Sequence, residues 1–212
     1  MHELKPRFLK HYIPLSILTL IIGIAFFFIW TKKDLITLIT DVTGYIAIVL
    51  LSVSLIIGTI NFIRKGFSPV STYFRRDISV FGGILAIIHS ICGLFVHLRG
   101  NMWQYFFKKP ADNYIIRLDD FGIANYTGLL SAIVIVLLLA ISNDFSIKRI
   151  KAKRWKNIQR FAYLMFLLAI VHILFYRVIS ENLNIYYYFY LPLILIVLTF
   201  QSVGFILRIR KS

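Results

Sequence analysis

Six stretches of the chain are apolar for about twenty consecutive residues, the length an α-helix needs to cross a hydrocarbon layer of about 30 Å. They fall at about 12–31, 41–63, 78–98, 124–142, 158–178 and 185–207. The predicted fold is therefore an all-α integral membrane protein, a bundle of six transmembrane helices in one domain covering residues 1–212. The run that follows the basic N-terminus is long enough to span, and no small-residue cleavage site follows it, so it is read as a retained first helix rather than a signal peptide.

Composition agrees with lipid as the solvent. Hydrophobic residues make up 59% of the chain and mean hydropathy is +0.79, too apolar for a soluble domain of this size. The formal net charge of +15 does not imply nucleic acid, because the Lys and Arg residues sit in short segments between the apolar runs, where they set membrane orientation. One side receives 17 of the 24 basic residues: Lys5, Arg7 and Lys10; Arg64, Lys65, Arg75 and Arg76; the cluster from Lys148 to Arg160; and Arg208, Arg210 and Lys211. Both termini are thus expected on the cytoplasmic side of a cell (inner) membrane. The one long connection, 99–123, carries Lys108, Lys109, Pro110, Asp112, Asp119 and Asp120 and reads as a solvent-facing loop. Trp30, Trp103, Trp155 and the run Tyr186, Tyr187, Tyr188 fall at predicted helix ends, as an interfacial aromatic belt requires. Cys92 is the only cysteine, which excludes a disulfide framework and a thiolate zinc site.

Ionisable residues inside a spanning helix are costly and mark function by default, so the five histidines are sorted by depth. His2 precedes the first helix and His11 sits at its cytoplasmic edge; both are read as solvated. His89 follows Arg76 by 13 residues and His172 follows Arg160 by 12, which places the two roughly 20 and 18 Å from the basic edge on the third and fifth helices. Two imidazoles at one depth, facing each other across a bundle, make an axial pair for a b-type haem, with one nitrogen donor for each face of the iron. Gly82 and Gly93 lie on approximately the same helical face as His89; they either leave room for a macrocycle or serve close helix packing. For the histidines, hydrogen bonding between helices is the alternative. His97, about 80° around the predicted third helix and roughly 12 Å nearer the outer surface, is a poor ligand for the same haem and reads as interfacial.

The Lys148–Arg160 cluster is first a topology signal and second a surface that would attract a flavoprotein or a flavin phosphate, with Arg75 and Arg76 as further contributors. No GxGxxG follows a strand and no P-loop is present, so reducing equivalents are expected from a partner protein, a diffusible flavin or a quinol. No acidic pair lies buried in a predicted helix, which weakens a proton-coupled transporter.

The arrangement resembles the ferric reductase-like transmembrane domain, the six-helix haem core shared by ferric reductases, NADPH oxidases and the haem-binding subunit of bacterial methionine sulfoxide reductase (MsrQ). The resemblance covers most of the chain from about residue 41. It is carried by Thr43-Gly44, by FRRDISVFGGILAIIH ending in His89, by YTGLL and AISND in the fourth helix, and by WKNIQRFAYLMFLLAIVH ending in His172. Two-haem members of that family carry a second, inner histidine pair, and the positions matching it here are Arg75 and Gln159. The resemblance thus implies a single-haem bacterial member, with two haems the alternative. Relatives of the STEAP type place a flavin in the inner half, for which Arg75 and Gln159 offer charge and hydrogen bonds; thirteen residues on an ideal helix turn the direction by about 140°, so the assignment of Gln159 rests on resemblance alone.

The expected function is that of a haem b-binding electron-transfer subunit, ligated through iron by His89 and His172. It would accept electrons from a cytoplasmic flavin reductase (FMN or FAD) or a quinol, and pass them to an external oxidoreductase, ferric iron or oxygen. An MsrQ-like supply to a methionine sulfoxide reductase is the most specific version. The rivals are a haem-free transporter, channel or assembly subunit with structural histidines, and a quinol-oxidising anchor of a multisubunit enzyme.

Overall fold

A computed structural model describes residues 7–64, 69–99, 101–110, 113–176 and 183–210. His2, Lys5, Lys65, Asp112 and Lys211 lie outside the described residues. Six helical segments among the described residues are long and apolar enough to cross a membrane, and the fold is the all-α membrane protein with six spanning helices that the sequence predicts. The helices are α1 (Ile13–Ile29), α2 (Leu35–Ile63), α3 (Pro69–Gly93), α4 (Asp120–Ala140), the short α5 (Asp144–Ile150) and α6 (Ala152–Gln159), α7 (Phe161–Tyr176), the three-residue α8 (Leu183–Ile185) and α9 (Leu191–Ile209).

Two π turns, Phe8–Tyr12 and Tyr186–Tyr190, precede α1 and α9. Each is followed by a proline in the first turn of the α-helix, Pro14 and Pro192. Proline has no N–H to donate and its ring crowds the carbonyl four residues back. In both places the residue before it donates instead to the carbonyl five back, Ile13 to Phe8 and Leu191 to Tyr186, which widens the turn. Within the basic cluster, Lys151 takes φ 68° and ψ 137° and separates α5 from α6.

The chain forms two compact units. The first comprises 1–33, 42–85 and 184–212, with a core of Ala47, Ile48, Leu51, Leu55, Ile78, Ile194 and Val197. The second comprises 34–41 and 86–183. Here α4 and α7 pack on each other through Ala124, Ile135, Leu138, Met165 and Phe166, and Ser131 donates to the Met165 carbonyl at 3.1 Å. Leu167 and Leu174 of α7 and Leu137 of α4 remain exposed, as lipid-facing positions do.

Several boundaries differ from expectation: α3 starts at Pro69, nine residues early, and α4 at Asp120, four residues early. α2 starts at Leu35, six residues early, and α3 ends at Gly93, five residues early. The shift at the end of α3 has a visible cause in Tyr105, which is 2% exposed. Its hydroxyl accepts from the N–H groups of His97 and Leu98 at 3.0 and 3.3 Å and donates to the Gly93 carbonyl at 3.1 Å. A side chain from the loop thereby replaces helical bonds at the end of α3, and His97 lies beyond the helix, not on it.

The 99–123 connection is more ordered than a plain loop. It contains a 3₁₀ turn, Met102–Tyr105, and an antiparallel pair, β1 (Phe107–Lys108) with β2 (Ile115–Ile116). Asp119 then caps α4 by accepting from the Gly122 N–H at 2.9 Å. Position 122 admits only glycine, because a Cβ there would lie 2.1 Å from the Arg117 carbonyl oxygen. The Asp119 carboxyl is lowered to about 2, chiefly by its hydrogen bond with Lys108, assisted by Gly122 and Arg117. A depressed carboxyl stabilises the fold fully above its unfolded value of about 3.9 and ceases to do so as pH falls through about 2. Asp119→Ala is expected to cost about 1 kcal/mol through the lost cap. Thermal unfolding at neutral pH checks this, and the difference from wild type should vanish near pH 2.

Candidate functional site

His89 of α3 and His172 of α7 lie in the second unit and face each other, with ring centroids 6.2 Å apart and ring planes at 81°. Neither ring is loose. The Nδ1 of His89 is 2.8 Å from the Thr40 carbonyl oxygen, and the Nδ1 of His172 is 2.7 Å from that of Ala124. A carbonyl can only accept, so each Nδ1 carries the proton and donates. In the neutral imidazole this leaves the Nε2 lone pair available. Among the described residues neither Nε2 has a hydrogen-bond partner.

The local sequence explains how His172 reaches a main-chain carbonyl in a neighbouring helix. Gly128 follows Ala124 by one turn of α4, and a Cβ at that position would stand 2.8 Å from the His172 Nδ1 and 3.1 Å from its Cε1. The missing side chain is what lets the ring lie against the helix backbone.

The two glycines singled out beside His89 have separate surroundings. A Cβ on Gly82 would meet Leu50 Cβ at 3.0 Å, Leu51 Cγ at 3.4 Å and the Ala47 carbonyl at 3.5 Å, the close approach of α3 to α2 that small residues permit in membranes. Gly93 lies next to Thr40, whose Cγ2 would be 3.7 Å from an added Cβ. The site-forming glycine is Gly128, present in the YTGLL segment but recognisable only once His172 is seen against it.

Arg75, in the first unit, donates through Nε to the Ser54 carbonyl at 2.9 Å, and its guanidinium fills the space above Gly58. Gln159, in the second unit, donates through Nε2 to the Ser142 hydroxyl at 3.1 Å. Arg75 thereby joins α3 to α2, and Gln159 joins α6 to the connection between α4 and α5. His97 meets Phe121 edge-on and Tyr176 at a tilt, with centroids 5.8 Å from each, and Tyr176 in turn is 5.4 Å from His172, so an aromatic contact connects His97 to the pair.

Sequence reasoning missed a second cluster. Asp77 of α3 is fully buried, and its carboxylate accepts from Arg7, His11 and Tyr12 of the first helical segment. His11 is not solvated as expected: its ring is 16% exposed and its Nδ1 is 2.6 Å from Asp77 Oδ2. The signal available was an acidic residue in FRRDI next to two arginines, but its partners are separated from it by 65 to 70 residues.

Among the described residues, no group of three or more His, Cys, Asp and Glu side chains is placed to hold a bare metal ion. A two-imidazole site suits a metal whose remaining ligands come with it, and haem iron takes one axial donor on each face. Metal–imidazole bonds of about 2 Å on opposite faces of one ion put the ring centroids about 6 Å apart, and the observed pair meets that separation.

The profile of the family described as "Ferric reductase like transmembrane component" matches residues 43–170, more than half of the chain. The chain belongs to the ferric reductase-like transmembrane family. No curated protein and no solved structure gives a significant match. The ferric reductase-like segment includes Arg75, Gly82, His89, Gly93, Gly128 and Gln159, and ends two residues before His172. Membership makes this multi-pass membrane protein a component of oxidoreductase-type electron transfer.

Proposed function

We propose that the protein is a haem b-binding subunit that takes electrons from a cytoplasmic flavin, flavoprotein or quinol and delivers them to an acceptor on the other side of the membrane. The observation that carries this reading is the His89–His172 pair, with each Nδ1 donated to a main-chain carbonyl and ring centroids 6.2 Å apart.

A bound haem supplies one-electron redox chemistry at its iron. The chain's part is to present ligands that do not have to reorganise. Thr40 and Ala124 fix each imidazole in the tautomer with Nε2 unprotonated, and a donated Nδ1–H makes that nitrogen a stronger ligand. Main-chain carbonyls do this without adding a charge to a membrane interior, where one costs several kcal/mol. The α4–α7 contact holds the Ala124 carbonyl and His172 in register through Ala124, Met165 and Phe166.

A single haem follows from the inner positions. Arg75 cannot ligate iron, since its guanidinium stays protonated, and Gln159 offers no imidazole. Contact with FMN or FAD in the inner half is the reading left for Arg75 and for Gln159, each taken by itself. Ferric iron, oxygen or an external oxidoreductase, as for an MsrQ-like protein, are the acceptors this reading admits.

The purified protein should give a b-type reduced-minus-oxidised spectrum with one haem per chain, flavin content being measured in the same preparation. A preparation without a b-type signal refutes the proposal in favour of structural histidines, and two haems per chain would show that the inner site had been misjudged.

A further inference from the structure

The Asp77 cluster has a composition that anchoring a helix does not require. A buried carboxylate costs several kcal/mol after relaxation, and one arginine would suffice to neutralise it. Here the carboxylate binds four donors at once: Arg7 through two nitrogens, the Tyr12 hydroxyl at 3.2 Å and the His11 Nδ1 at 2.6 Å. Arg7 balances the charge, and Tyr12 completes the hydration that water would have given. His11 is the member left with free capacity. Its Nδ1 donates to Asp77, so its Nε2 is an acceptor, and the carboxylate orients the ring as in an Asp–His dyad. No hydrogen bond satisfies that Nε2 among the described residues.

The surroundings select the class of ligand. The His11 ring meets the edge of Phe74 at 5.3 Å, Phe8 stacks on Tyr12 at 6.1 Å and is 59% exposed, and the Tyr73 ring lies beneath the guanidiniums of Arg7 and Arg76. These elements begin membrane-spanning segments. A base among aromatic rings, at the end of lipid-facing helices, suits an aromatic diol that arrives through the bilayer. Phe8 and Phe74 offer ring faces for stacking, and the exposure of Phe8 leaves it open to a lipid-borne ring.

We infer that His11, oriented by Asp77, is the proton acceptor of a binding site for a membrane hydroquinone. The inference rests on the proposed haem function and identifies its donor as a quinol. One O–H bond of the hydroquinone would break, the proton going to His11 Nε2 and one electron to a ferric haem as oxidant. His11 would return its proton to water, the haem would pass its electron to the external acceptor and so become ferric again, and the second proton and electron would then leave in the same way, giving the quinone. His89 lies twelve residues beyond Asp77 in the sequence of α3. The charged and titratable groups of the cluster around His11 are Asp77 of α3 and Arg7 and Tyr12 of its own segment.

The test uses the full-length protein in detergent, with the haem spectrum recorded on the same preparation. A photoreactive azido-quinone should label the peptides containing His11 or Phe74, and unlabelled short-chain ubiquinol should compete with it. His11→Gln should slow haem reduction by that quinol about 100-fold, the order expected for loss of a positioned base, while dithionite reduction and the haem spectrum stay as in wild type. Asp77→Asn, which keeps the shape and removes the charge that orients His11, should slow it in the same direction. Labelling elsewhere, labelling that ubiquinol does not displace, or a His11→Gln variant reduced by quinol at the wild-type rate overturns the inference and leaves the cluster as a clamp for the N-terminal helix. A preparation without b-type haem overturns the underlying function instead, and the labelling result then stands on its own for quinone binding.

Discussion

Alanine at His89 or at His172 will abolish the six-coordinate haem spectrum, each variant being sufficient alone. An iron with two axial donors needs both, and no other described side chain stands ready to replace either. The imidazoles are held by Thr40 and Ala124 through main-chain carbonyls, so removing one ring leaves the other fixed in place rather than free to swing across. The loss of haem should exceed the 10- to 100-fold change in affinity typical of losing an outer-shell partner. Optical and electron paramagnetic resonance spectra of the purified variants check this. His97→Ala should keep the bis-histidine spectrum, because His97 contacts Phe121 and Tyr176 rather than the iron position. Bis-histidine signals surviving in either ligand variant would show that the pair is misassigned.

Gly128→Ala should damage the same site without touching a ligand. The new Cβ would stand 2.8 Å from His172 Nδ1, 3.1 Å from Cε1 and 3.4 Å from Cγ, so a whole edge of the ring is blocked and not merely the tip of a flexible chain. The imidazole could yield only by leaving the Ala124 carbonyl, and with it the tautomer that exposes Nε2. The expected cost is about 1–3 kcal/mol of stability for overpacking and about 10- to 100-fold in haem affinity for the lost orienting bond. Gly93→Ala is the control: the nearest atom there is Thr40 Cγ2 at 3.7 Å, an ordinary contact. Haem titration of the two variants separates them, and equal affinity would remove the steric argument.

Much of this site was legible before any coordinates. Arg76 and Arg160 mark a common edge, and counting from them put His89 and His172 at one depth because the rise per residue is constant along a helix. The end of α3 was not legible. Leu94, Phe95 and Val96 continue the apolar run, and the helix stops because Tyr105, a residue of the following loop, takes over the polar groups of Gly93, His97 and Leu98. His11 was misread for a related reason. Its place at a helix edge suggested solvent, whereas Asp77, 66 residues away, holds it in a buried cluster.

Local periodicity, apolar length and the spacing of basic residues were enough to establish six membrane helices, their family and the pair of histidines. These properties depend on transfer from water to lipid and on helix geometry, both of which act along a contiguous segment. Tertiary structure alone decided which carbonyls hold the imidazoles, which glycine makes the room, and which partners surround Asp77. Those contacts join residues 44 to 70 positions apart, and contacts of that kind exist only once helices have packed against one another.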